Sequence, residues 1–158
     1  MKTFVLAMLM ITLGGRAVVM GAESNKSVDP DAVYTFKQVG DVTLELNVYQ
    51  PKDWKASDRR PAIVLFFGGG WVGGDKDHFK RQAIRYAELG MVAITPDYRT
   101  KKKNGTTPFE SVADAKSAMR WVYKNADKLG IDTKMIRAAG DRIRAALECC
   151  IPLEGNGA

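Results

Sequence analysis

The sequence predicts an α/β fold that starts with an antiparallel hairpin and continues with parallel strands that have helices on both faces. Three observations predict it: an alternating apolar and polar segment near residue 42, an unbroken apolar run over 62–67, and two amphipathic segments that separate short apolar runs. The 158 residues suffice for one domain with a real core, and 46% apolar with 27% charged residues is an ordinary globular composition. There is no internal repeat, and we expect no second domain.

Residues 1–22 have the pattern of a secretory signal peptide. Lys2 supplies the positively charged n-region, residues 4–13 form the apolar h-region, and Met20-Gly21-Ala22 matches a small-residue cleavage site. The apolar part is too short to span a bilayer, so we expect no stable membrane anchor. The predicted location is therefore secreted or periplasmic, and residues 23–32 are expected to form a flexible leader.

The first two strands are expected to form a hairpin. They run over Tyr34–Val39 and Val42–Tyr49 and are joined at Gly40-Asp41. In the second strand apolar and polar residues alternate, which is typical of a half-exposed antiparallel strand.

The apolar run over 62–67 predicts a central strand buried in a parallel sheet, and it opens directly into Gly68-Gly69-Gly70-Trp71. Glycines let successive peptide N–H groups approach a ligand closely, so such a loop suits an anion or a developing oxyanion. A plain strand-to-helix turn without chemistry also fits. A P-loop does not, because Gly73-Gly74-Asp75-Lys76 lacks the spacing and the Ser or Thr.

A helix is predicted from His78 to Leu89, with Asp75 or Asp77 as its N-cap and Gly90 as its stop. The short apolar strand Met91–Thr95 follows. Strand, helix and strand in this order call for a parallel crossover.

After a charged loop over 99–108, apolar residues at helical spacing predict a second amphipathic helix that ends at Gly130. A third parallel strand is predicted over Lys134–Ala139, ending at Gly140. The apolar positions of the second helix are Val112, Ala115, Met119, Val122, Ala126 and Leu129.

No cofactor or metal site is predicted. His78 is the one histidine and Cys149 and Cys150 are adjacent, so no metal-ligand spacing of a known kind occurs. The formal charge is +6, and its one dense basic run, Lys101-Lys102-Lys103, is interpreted as a solvated loop because no aromatic residue is interleaved. We therefore expect no nucleic-acid partner.

Four segments, in this order along the chain, resemble the α/β-hydrolase fold, in particular secreted esterases and lipases with a His-Gly-Gly-Gly-Trp oxyanion loop. Phe67 stands in the place of that loop's His. The resemblance covers residues 33–140 and implies the N-terminal half of an α/β-hydrolase sheet. The segments are Phe67-Gly68-Gly69-Gly70-Trp71, Thr95-Pro96-Asp97-Tyr98-Arg99, Ala113-Asp114-Ala115-Lys116 with Arg120-Trp121, and Gly130-Ile131-Asp132.

The resemblance implies hydrolysis of carboxylic esters, with the peptide N–H groups of Gly69 and Gly70 as the oxyanion hole. The expected substrates are small-molecule or polysaccharide esters, such as acetyl or other acyl esters of carbohydrates. The oligomeric state is not predicted.

The expected nucleophile is missing from this pattern. Family members carry a Gly-x-Ser-x-Gly turn after the third strand, followed by an acid and a His. Gly140 matches the first glycine of that turn, but Arg142 occupies the nucleophile position and no such motif occurs anywhere. His78 precedes the turn instead of following it. We therefore identify no catalytic residue, and an inactive fragment or binding remnant is the alternative function.

Residues 141–158 are interpreted as an aberrant tail. If the codons after Gly140 were originally GGA-TCG-G for Gly-Ser, loss of one base gives GAT-CGG for Asp141 and Arg142. The hypothesis is that a truncation or frameshift of an esterase gene follows Gly140. A natural short variant with a helical C-terminus is the alternative.

Overall fold

The computed structural model describes residues 29–140, which form one mixed sheet of five strands in the order β1-β2-β4-β3-β5. This confirms the predicted fold class. The elements are β1 Ala32–Val39, β2 Val42–Tyr49, β3 Arg60–Phe66, α1 Lys80–Glu88, β4 Val92–Pro96, α2 Lys101–Asn104, α3 Pro108–Lys124 and β5 Ile131–Gly140.

The hairpin of β1 and β2 is confirmed, with Val39 opposite Val42 across the turn. β1 begins at Ala32 rather than at Tyr34. The half-exposed pattern predicted for β2 holds only at its start, because the strand is buried on both faces from Leu46 onward. β2 lies inside the sheet between β1 and β4, and Tyr49 packs against the side of the sheet that α1 covers.

β3 is the central parallel strand, as predicted. It pairs in parallel with β4, where Ala62 lies opposite Val92, and with β5, where Ala62 lies opposite Ile136. The carboxyl ends of β3, β4 and β5 therefore lie at the same edge of the sheet.

Helices cover both faces, which explains why the strand core is apolar on both sides. On one face α3 packs on the sheet through Ala115, Met119 and Val122. On the other face α1 packs through Ala83 and Ala87.

The predicted N-cap of α1 was wrong. The helix begins at Lys80 with Phe79 as its N-cap and no side-chain cap. Asp75 instead accepts a hydrogen bond from the N–H of Asp77, and Asp77 accepts one from Asn47 in β2 at 3.1 Å. The two carboxylates thus fix the segment before the helix.

The predicted end of the second helix at Gly130 was also wrong. α3 ends at Lys124, and the chain continues in turns to Gly130, where β5 follows at Ile131. Ala126 and Leu129 stay buried although they lie beyond the helix. The helical spacing of these two residues therefore indicated that they are buried, but not that they belong to the helix.

Several predicted features lie outside the described residues. These are the signal peptide over 1–22, most of the leader, Arg142, the two cysteines and the tail over 141–158. Within 29–140, none of the helices has the length and apolar character needed to cross a membrane.

Candidate oxyanion site

The glycine loop, defined here as residues 68–74, turns sharply after β3. Gly70 and Trp71 both have positive φ, 62° and 70°, and the N–H of Val72 donates to the carbonyl of Gly69 at 3.1 Å. Positive φ at both central residues is the mark of a type I′ turn. Trp71 is the one non-glycine residue between 29 and 140 with positive φ.

Two glycines of the loop are required by close contacts. A Cβ on Gly69, which has φ 130°, would lie 2.1 Å from the carbonyl oxygen of Gly73. A Cβ on Gly74 would lie 2.5 Å from the ring of Phe67. The loop is therefore folded tightly on itself, and only glycine fits these two positions without displacing main chain.

The N–H groups of Gly69 and Gly70 are free of hydrogen-bond partners within residues 29–140. Both residues are exposed. The loop thus presents two consecutive main-chain donors at the carboxyl end of the central strand, where a ligand can reach them.

Tyr98, which follows β4, holds the start of this loop. Its hydroxyl donates to the carbonyl of Phe67 at 2.6 Å, and its ring is stacked on the Phe67 ring with centroids 3.9 Å apart. Its ring also lies 6.0 Å from that of Trp71. An aromatic ring at position 67 can make this stack, so Phe in the place of His is compatible with an ordered loop.

The short helix α2 holds the other end of the loop. The N–H of Lys101 donates to the carbonyl of Trp71 at 3.0 Å, and that of Lys102 donates to Val72 at 2.8 Å. Thr100 caps the helix through the N–H of Lys103, and Gly105 ends it in the left-handed conformation. The first N–H groups of α2 are therefore satisfied by the loop.

The segment that carries Tyr98 is itself held by Asp114 of α3. The carboxylate is fully buried and accepts three hydrogen bonds from Arg99, through its N–H, Nε at 2.7 Å and Nη2 at 3.0 Å. Lys37 of β1 adds a fourth at 2.6 Å. Burial alone would raise the pKa of Asp114, but the hydrogen bonds from Arg99 and Lys37 outweigh it and hold the pKa below its ordinary value.

Asp97, one residue before Tyr98, is a partly buried carboxyl. Its Oδ1 accepts the N–H of Tyr98 at 3.0 Å, and its own N–H donates to Glu45 at 2.8 Å. Burial raises the pKa of Asp97, although the nearby Lys103 opposes the rise. These bonds give the carboxyl a role in ordering the segment.

A cleft of about 230 Å³ adjoins the glycine loop next to α2. The loop forms one wall, and α2 with the start of α3 forms the other. Its volume suits a small group rather than a whole drug-sized ligand. The lining residues are Gly70, Trp71, Val72, Lys101, Gly105, Thr106, Thr107 and Pro108.

The position expected for a nucleophile lies just beyond the described residues. Gly140 ends β5 directly opposite Phe66, and a Cβ on Gly140 would lie 2.3 Å from the Phe66 carbonyl oxygen. The carboxyl end of β5 therefore lies next to the start of the glycine loop. Arg142, in the nucleophile position, is outside the described residues.

His78 and the described serines do not assemble into a catalytic pair. His78 is exposed and packs edge-on against Phe79. Ser111 donates to the carbonyl of Arg99, and Ser117 donates to that of Ala113. No hydrogen bond joins His78 to a serine between 29 and 140, and no group of three metal-binding side chains occurs there.

Three parts of this site were missed from the sequence: α2, the Tyr98 contact with Phe67, and the Asp114 cluster. Thr100 and Gly105 were signals that could have revealed α2, since they match an N-cap and a left-handed C-terminal glycine. The other two join residues that are far apart in the chain, and no spacing pattern marks them.

A mixed sheet with helices on both faces, whose central parallel strand ends in a glycine loop, defines a protein of the α/β-hydrolase type. The chain belongs to the BD-FAE family, whose sequence profile matches residues 46–146. This confirms the predicted esterase and lipase relationship at the level of the family.

Several proteins similar to this chain are esterases. The chain is 31% identical over 100 residues to carboxylesterase NlhH of Mycobacterium tuberculosis, covering 62% of this chain and 30% of that one. Esterase LipC of the same species is 34% identical over 115 residues, covering 70% and 27%. A butyrate-bound esterase of Thermogutta terrifontis superposes with a TM-score of 0.72 and 43% identity, covering 78% of this chain and 45% of that one. The chain thus spans less than half the length of these relatives.

Proposed function

We propose that this chain supplies the oxyanion-binding part of a carboxylic ester hydrolase. The observation that carries the proposal is the pair of exposed, unpartnered N–H groups of Gly69 and Gly70 at the end of the central strand. The similarity to esterases supports the same reaction class.

The chemistry follows from what ester hydrolysis requires. Attack on the ester carbonyl places a negative charge on its oxygen, and preorganised N–H donors stabilise that charge without reorganising. The N–H groups of Gly69 and Gly70 would donate to this oxygen. A nucleophile, a base and an acid would have to lie outside residues 29–140 or be absent.

The proposed substrates are acetyl or other small acyl esters of carbohydrates or small molecules. The butyrate in the Thermogutta esterase supports a short acyl group, and the limited cleft beside Gly70 is consistent with one. The proposed location is secreted or periplasmic, on the basis of the signal-like residues 1–22.

A catalytically inactive binding protein is the second candidate, and Arg142 in the nucleophile position favours it. A guanidinium cannot act as the nucleophile of this reaction. We therefore expect the chain with this sequence to release nitrophenol from p-nitrophenyl acetate or butyrate no faster than buffer.

The test is turnover of these esters by the full chain, together with Gly69→Pro and Gly40→Ala. Proline removes the N–H of residue 69, whereas Gly40 lies in the distant hairpin turn. Turnover that Gly69→Pro abolishes and Gly40→Ala preserves would establish hydrolysis at this loop. Wild-type turnover that survives Gly69→Pro would refute the proposed site, and background rates throughout would leave the inactive candidate. Circular dichroism must show that both variants are folded.

A further inference from the structure

Tyr98 contacts the residues on either side of the three consecutive glycines 68–70. Its hydroxyl binds the Phe67 carbonyl at 2.6 Å before the glycines, and its ring lies 6.0 Å from the Trp71 ring after them. We propose that Tyr98 is a positioning residue that holds Gly69 and Gly70 in the conformation that presents their N–H groups. The catalytic value of this role rests on the function proposed above.

A loop of three glycines needs such a support. Glycine loses more conformational freedom on folding than any other residue, so three consecutive glycines are costly to order. Because the peptide unit is planar, the hydrogen bond to the Phe67 carbonyl also orients the N–H of Gly68. The entry to the glycines is thereby fixed.

Two other groups contact the Phe67 ring. The Tyr98 ring lies parallel to it within 5°, with centroids 3.9 Å apart. The main chain at Gly74 lies on it so closely that a Cβ there would come within 2.5 Å of the ring. Tyr98 and Gly74 thus both contact Phe67, and these contacts link the start of the loop to its end.

Tyr98 is itself fixed through its neighbours in the chain. Asp97 accepts its N–H, and Arg99, the next residue, is bound by the buried Asp114. Ser111 also donates to the Arg99 carbonyl at 2.6 Å. A series of direct contacts therefore runs from α3 through residues 97–99 to the glycine loop.

The test is the backbone order of the loop in Tyr98→Phe and Tyr98→Leu, measured on the full chain by ¹⁵N relaxation. Phenylalanine keeps the ring and loses the hydroxyl, whereas leucine loses both. The control is Tyr49→Phe, because Tyr49 is as buried as Tyr98, at 2% exposed, and belongs to the core cluster on the other face of the sheet.

We expect order parameters of about 0.85 for Gly69 and Gly70 in the wild type, falling toward about 0.6 in Tyr98→Leu. Tyr98→Phe should lie between them, and Tyr49→Phe should match the wild type. Unchanged glycines in both Tyr98 variants would overturn the proposal. An equal loss of order in the strand β2, or in Tyr49→Phe, would also overturn it, because the effect would then be general.

Turnover separates this proposal from the proposed function. In an active chain, Tyr98→Phe should lower kcat about 5-fold with little change in KM, since loss of one hydrogen bond is worth about 1 kcal/mol, which is a factor of about 5 in rate. A loosened loop in an inactive chain supports positioning and counts against hydrolysis. An active chain with an unaltered loop in both Tyr98 variants rejects positioning alone.

Discussion

Different interactions hold two of the turns that contain glycine at positive φ, the hairpin turn and the glycine loop. In the hairpin turn Gly40 has φ 56°, is exposed, and has open space where a Cβ would lie. In the glycine loop Gly69 has φ 130°, and a Cβ added to it would clash with the main chain of Gly73. The first turn joins two adjacent strands and is specified by local sequence, whereas the second depends on contacts from β4, α2 and α3.

The difference shows where main-chain donors can be kept unpaired. A hairpin turn uses its peptide groups to join two strands. The glycine loop leaves two N–H groups open, and the contacts of Tyr98, Lys101 and Lys102 fix the rest of it. Its conformation is thus supported by groups distant in sequence, as is common at functional loops.

The largest effect is expected for Asp114→Ala. Removing the buried carboxylate leaves Arg99 without its partner at a position where its side chain is 14% exposed, so we expect a loss of about 3 kcal/mol or more in the free energy of unfolding. Urea unfolding at pH 7 measures it. Asp127→Ala is the matched control, because its pair with Arg59 is 69% and 87% exposed and should change stability by less than about 0.5 kcal/mol. Equal losses would show that the Asp114 cluster contributes nothing special.

Gly69→Ala should have the next largest effect. The added Cβ meets the Gly73 carbonyl at 2.1 Å, so the loop must shift, and we expect a loss of about 2–3 kcal/mol. Urea unfolding gives the loss, and the fluorescence of Trp71 in a variant that lacks Trp54 and Trp121 reports the shift. An unchanged spectrum with unchanged stability would contradict the crowded geometry of the loop.

The sequence predicted the strands and the two longer helices, but neither the short helix α2 nor the contacts that shape the site. The run over 62–67 is continuous because β3 is buried on both faces, and the alternation in β2 marked its strand character. Those patterns depend on burial, which produces a recognisable order of apolar and polar residues along a short stretch of sequence. The hydrogen bonds from Tyr98 to Phe67 and from Lys37 to Asp114 join residues that are 31 and 77 positions apart, so they produce no local sequence pattern.

The acid limb of the stability curve should show the contribution of Asp114. Its pKa in the folded chain lies below the ordinary value of 3.8, so the folded state binds this proton less readily than the unfolded state. The stabilisation is present above about pH 4 and is lost as pH falls through the lower, folded pKa. For each unit by which folding lowers the pKa of Asp114, the free energy of unfolding at neutral pH rises by about 1.4 kcal/mol.

The measurement is unfolding free energy from pH 7 to pH 2 for the wild type and Asp114→Asn. The asparagine variant should start from a lower stability and lose less of it below pH 4. Because other carboxyls, including Asp97 with its raised pKa, titrate in both proteins, the difference between the two curves isolates Asp114. Parallel curves would contradict the lowered pKa.

The smallest expected difference lies between Gly70→Ala and Gly40→Ala. Both glycines are exposed, have φ of 62° and 56°, and have nothing within 4 Å of an added Cβ. Each substitution should cost about 1 kcal/mol for placing alanine in the left-handed region, and the two costs should agree within about 0.5 kcal/mol. Chemical denaturation of both variants tests this. A much larger loss for Gly70→Ala would show that the type I′ turn is held under strain by its neighbours, whereas equal losses would place the crowding of the loop at Gly69 and Gly74 rather than at the turn itself.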